Sequence, residues 1–368
     1  MRECRSFINE AGNIADRTGD RALKAEGLVL LARVETWDRS WRLQAPKSNS
    51  GPANIIERLY RKALELEKPA GLSENRAFAL IELGKFYLLY AGKMADARQL
   101  AGLAIDQGRR MRDRYWLELA LRLKALIAVH DGEWEQFHDI WESSPSYIPV
   151  DKRRDHFRGH FYASYFLRGD AGQLLNELDL LLDGDVQNQP EETRLSIYAE
   201  LAGVVAWHIG DLRRLERAED IAKSLIPSVD TVPFVHGRIH QCLGYIAVVR
   251  RDSESAACEY AELKDSLLLA HGRRLLALLA NTAGDFPRAD ELFEDDLKVF
   301  RGGYRPYLAW TCFDYATALL ERDQKKHAAK AQTLLQEGLL LADSLQMKLL
   351  APRIRIQLSK YSAAVPKQ

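Results

Sequence analysis

The chain reads as an all-α solenoid of about seven helical hairpins, and three observations predict it. The dominant apolar period is helical. In residues 73–90, SENRAFALIELGKFYLLY, the side chains Phe78, Ile81, Leu83, Tyr87 and Leu88 fall near one broad stripe. No stretch sustains the apolar–polar alternation of a half-buried strand. Short turn signals recur at Gly92, Gly132, Gly169, Gly210, Asp252, Gly284 and Asp323, a near-regular spacing of the kind that marks a helical repeat array. Each follows an apolar helical stretch and precedes an amphipathic one, and glycine there accepts the left-handed conformation that ends a helix. Prolines collect in the joints, at Pro145, Pro149, Pro190, Pro227 and Pro233, where they avoid the roughly 3 kcal/mol cost of a helix interior. A hairpin cannot bury its apolar face alone, so neighbouring hairpins must stack.

In chain order, residues 4–17 and 20–38 form a helical pair, and RLQAPKSNSGPA (42–53) is a loop by its Ser, Asn, Gly and Pro content. Residues 53–67 resume a helix. This divides the chain into an amino-terminal helical cap (1–70), a repeat array (71–361) and a frayed tail (362–368).

Composition narrows the function. The 368 residues carry 52 Lys and Arg against 52 Asp and Glu, a formal net charge of zero. Bulk charge therefore argues against a general nucleic-acid or membrane-surface binder. The four cysteines, Cys4, Cys242, Cys258 and Cys312, are too few for a disulfide framework in so long a chain. No apolar run approaches the length of a membrane-spanning helix, and MRECRSFINEAG has no apolar leader segment. The expected location is the cytoplasm.

Catalytic signatures are missing. No GxxxxGK[ST], GxGxxG or GxSxG occurs. Two His pairs, His156/His160 and His236/His240, are spaced to share a helix face. Each supplies two ligands where a structural zinc wants four, and Cys242 lies roughly 200° round the helix from His240. No metal and no cofactor is expected. Cys242, Cys258 and Cys312 read as small core residues. Glu291, Glu294, Asp295 and Asp296 read as the solvated face of a helix, with no closed pocket to raise a carboxyl pKa. Residues 322–368 hold nine Lys or Arg and three Asp or Glu, which reads as a solvated terminal helix. The aromatic residues Phe161, Tyr162, Tyr165, Phe166, Tyr245, Tyr307 and Trp310 read mostly as core.

Several segments resemble the tetratricopeptide repeat. In AGDFPRADELFEDDL (283–297), Gly284, Asp285 and Phe286 fill the interhelix turn, Ala289 the small position and Phe293 the large apolar one. RRDSESAACEYAEL (250–263) repeats this with Ala256 and Tyr260, and AGKMADARQLAGLAI (91–105) with Ala97 and Ala101. Other units are degenerate, with Phe137 and Trp141, Leu174 and Leu178, and Leu215 at these places. Residues 230–357 are also similar to the carboxy-terminal repeat arrays of bacterial ATPase-coupled class III adenylate or guanylate cyclases and LuxR-type activators. The resemblance implies a right-handed α-α superhelix whose first helices line a concave groove. Counting back from the turns then places Arg122, Phe166, Glu200, Trp207, Arg238, Gln241 and Tyr245 in that groove. It implies a non-enzymatic interaction or sensory scaffold with a protein or peptide partner, or a small effector, and with neither membrane nor nucleic acid as target. The alternatives are the regulatory portion of such a cyclase or activator, and an enzyme on an all-α fold.

Overall fold

The structure, a computed structural model, describes residues 2–41, 52–67, 71–143, 167–170, 172, 212–226, 233–264 and 270–364. The chain is all-α: every regular element among the described residues is a helix. It divides into two compact units. One comprises Met1–Ala128, Trp134–Phe157 and Asp265–Leu269; the other comprises Val129–Glu133, Arg158–Lys264 and Ala270–Gln368.

In the first unit, α1 (Arg2–Thr18), α2 (Arg21–Trp41), α3 (Pro52–Glu67), α4 (Glu74–Phe86) and α5 (Met94–Met111) pack consecutively, each on the next; α6 (Arg114–Asp131) and α7 (Trp134–Ser143) follow. Ser73 starts α4 by accepting a hydrogen bond from the Arg76 amide at 3.1 Å, which satisfies one of the free amides of the first turn. The helix closes in a π turn, Tyr87–Ala91, ended by Gly92 at φ 67°. Two glycines allow close approach to α6. A Cβ on Gly84 would lie 2.5 Å from Leu123 Cδ2, and one on Gly108 would lie 2.8 Å from the Leu117 backbone. The core there holds Leu80, Ile81, Ala104, Ile105 and Ala120.

The second unit contains α8 (Leu212–Leu225), α9 (Pro233–Arg250), α10 (Ser253–Leu263), α11 (Ala270–Thr282), α12 (Phe286–Phe300), α13 (Arg305–Arg322), α14 (Gln324–Ser344) and α15 (Leu350–Ala364). Three hairpins are evident: α9/α10, α11/α12 and α13/α14. Their turns follow the sequence reading. Gly284 sits at φ 86°, and Arg251 takes the equivalent left-handed position at φ 55°. In the other turns Gly92, Gly132 and Gly169 also have positive φ. The aspartates after the turns cap the second helices: Asp252 accepts from Ser255, Asp285 from Arg288 and Asp323 from Lys326, at 3.1, 3.2 and 3.1 Å.

The small and large positions are also where the sequence puts them. Ala97, Ala101, Ala256, Ala289 and Phe293 are buried, as are Phe137 and Leu215. Phe293 stacks on Tyr315 of α13 at 4.7 Å between centroids, which joins one hairpin to the next. Gly244 brings α9 close to α11, where a Cβ would meet Leu275 and Leu279 at 3.2 and 3.3 Å.

Two expectations need correction. Cys258 is exposed: it follows buried Ala256 by two places on α10 and therefore lies about 200° round the helix from it, on the outer face. Asp296 is buried, not solvated, because it occupies the inner stripe of α12 with Ala289, Phe293, Leu297 and Phe300.

Candidate functional site

The first helices α9, α11 and α13 lie side by side in the second unit, and α15, the next first helix, packs on α14. A polar row crosses them. Gln241 precedes the capping Asp252 by the same interval as Arg274 precedes the capping Asp285. Asp314 then follows Arg274, and Arg353 follows Asp314, each by about one repeat length. The row is therefore one amide, one anion and two cations at similar places in consecutive units.

Its geometry is tight. Gln241, Arg274 and Asp314 are only 4%, 1% and 2% exposed. Gln241 Nε2 donates to the Gly237 carbonyl at 3.1 Å, while its Oε1 is buried with no hydrogen-bond partner. Arg274 Nε lies 3.4 Å from Asp314 Oδ2. The same guanidinium sits 5.6 Å from the centroid of Trp310, one turn before Asp314 and on the same face. Arg353 is half-buried and forms neither a hydrogen bond nor an ion pair with the described residues. Burial pulls its pKa below the ordinary value, and the charge of Asp314 opposes that shift.

A second ion pair adjoins the row. Arg273 Nε donates to Asp296 Oδ1 at 3.1 Å, and Asp296 Oδ2 is buried without a partner. Burial raises the Asp296 carboxyl to about 6, and Arg273 and Arg274 offset only part of that. Buried charges of this kind contribute little net stability, because desolvation offsets their attraction. The cluster suits recognition of charge. The Cys312 thiol, pushed up by burial, has no thiolate character to act as a nucleophile.

The sequence-derived groove residues fall in several places. Arg122 is on α6 in the first unit, salt-bridged to Glu118 at 2.7 Å. Arg238, half-buried, and Gln241 are on α9 in the second unit. Tyr245, also on α9, has no exposed surface and is a core residue: Cys242, Gly244, Ile246, Ala247 and Val248 around it are buried too. A helix apolar all round leaves that stretch no open face. Phe166, Glu200 and Trp207 lie outside the described residues, as do His156 and His160.

His240 pairs instead with Glu259 of α10, Nδ1 to Oε2 at 2.8 Å. Among the described residues no three His, Cys, Asp or Glu side chains gather as a metal site would require. No helix among them is long and apolar enough to cross a membrane.

Sequence reading missed Arg274, Asp314 and Arg353. The count that selects Gln241 from Asp252 also selects Arg274 from Asp285, so one of the three was within reach.

The first unit holds another polar cluster, at its π turn. Glu57 accepts from Tyr87 Oη, Lys93 Nζ and Arg61 Nε at 2.7, 2.7 and 2.8 Å. Burial would raise its carboxyl, but these bonds outweigh it and hold the pKa at about 2. Lys93 also lies 4.9 Å from the Tyr87 ring centroid. This network latches α3 to the turn and leaves no carboxylate oxygen unbonded. No protein-family model matches the chain, and no curated protein matches it.

Proposed function

We propose that the chain is a tetratricopeptide-like interaction module that binds a protein or peptide partner along the face of its first helices, and that it makes and breaks no bond. The observation that carries this reading is the polar row Gln241, Arg274, Asp314 and Arg353. A face needed only for packing would be apolar, because burying an amide acceptor and charged groups costs free energy that apolar side chains avoid. Arginine beside an aromatic ring is also the chemistry over-represented where interfaces draw their energy. A small effector seated on the same row is the narrower form of the same reading.

The test is a pull-down with the intact chain, identification of what is retained, and a hydrogen-exchange footprint of the complex. Protection concentrated on α9, α11, α13 and α15 is the expected result. Protection confined to α10, α12 and α14 would place the partner on the opposite faces and overturn the proposal.

A further inference from the structure

We infer that Arg353 is an anion-binding residue that takes a singly charged oxyanion, a carboxylate or a phosphodiester, beside the Arg274–Asp314 pair. This rests on the reading of the first helices as the binding face and adds the chemistry of what sits there.

The argument begins with charge. Arg273, Arg274 and Arg353 supply three positive charges, and Asp296 and Asp314 supply two negative ones. Arg273 is matched by Asp296 at 3.1 Å and Arg274 by Asp314 at 3.4 Å. Arg353 is the remaining cation, half-buried and without a hydrogen bond or ion pair among the described residues. A guanidinium cannot discard its charge by deprotonating near neutral pH, and it presents a planar fork of donors that matches two oxygens of one oxyanion. The unmatched charge calls for one negative charge from outside.

That arithmetic also selects the class. One negative charge neutralises the cluster, whereas a dianion would leave an excess negative charge close to the buried Asp314 carboxylate. The position adds to this. Arg353 lies in the first turn of α15, which carries no acidic residue, so the partial positive charge of the helix start is unopposed. The neighbouring Arg355 differs: it is exposed and paired with Asp343 at 2.6 Å, and so already has its anion.

The experiment uses the full chain and follows its thermal unfolding while chloride is replaced, at constant ionic strength, by acetate, dimethyl phosphate or sulfate. Sulfate stabilises most proteins by exclusion from their surface, so the quantity read is the difference between the wild type and Arg353→Gln. Acetate or dimethyl phosphate should stabilise the wild type saturably. Arg353→Gln should weaken that response roughly ten- to hundredfold in apparent Kd, as expected for a lost charge-assisted hydrogen bond. Arg355→Gln should respond like the wild type. Whichever monoanion binds more tightly identifies the source of the group. An equal response in Arg353→Gln, or a larger Arg353-dependent effect of sulfate than of either monoanion, would overturn the inference. A footprint on the first helices together with an unchanged anion response would retain the interaction module and reject the anion site.

Discussion

Asp296 carries a pH-dependent cost that the wild-type protein accepts at neutrality. Burial raises its carboxyl from 3.8 to about 6, so the folded state binds the proton more tightly than the unfolded chain. Its contribution therefore favours folding at low pH and becomes unfavourable as pH climbs from about 4 through about 6. Asp296→Asn removes that titration and keeps a group able to face Arg273. The stability of the wild type relative to Asp296→Asn should fall by about 3 kcal/mol between pH 4 and pH 7, read from urea unfolding at each pH. A difference that stays constant across the range would mean that Asp296 does not titrate there.

The turns follow a simple conformational rule. Gly284 adopts φ 86° with open space where a Cβ would go, whereas Arg251 adopts φ 55° with a side chain in place. Gly284→Ala should cost about 1 kcal/mol from backbone strain alone, and Arg251→Gly should be neutral or stabilising by up to about 1 kcal/mol. The exposed Arg251–Glu321 pair that the second change removes contributes little. The caps behave in parallel: Asp285→Ala should lower unfolding free energy by about 1 kcal/mol. Equilibrium denaturation of the three variants checks these values, and a destabilised Arg251→Gly would contradict the strain argument.

At the scale of the molecule, stacked hairpins share their stability with their neighbours. Phe293→Ala opens a cavity against Tyr315 and should cost about 3–5 kcal/mol. Its effect should spread, raising amide exchange in α11 and α13 as well as in α12. Faster exchange limited to α12 would show that the hairpins are not coupled. The full chain should also purify without stoichiometric zinc, since His240 is engaged by Glu259 and each His pair offers two ligands. Chelator-resistant zinc lost in His236→Ala would refute that.

The all-α class, the turn positions and the buried small-and-large pattern were legible in the chain, because each depends on local properties: the helical period, the left-handed preference of glycine, and the size of a side chain at a hairpin contact. Gly92, Gly132, Gly169, Gly284, Ala256, Ala289 and Phe293 follow from these alone. The candidate site was legible only in part. Gln241 came from counting along one helix, and Arg274 could have come the same way. Tyr245 and Asp296 were misplaced, since a periodic pattern states which residues share a stripe but not how much of that stripe a neighbouring helix covers. The meeting of Arg274, Asp314 and Arg353 was decided by the tertiary structure. Each stands about one repeat length from the next along the chain, and only the stacking of successive hairpins brings their charges within reach of one another.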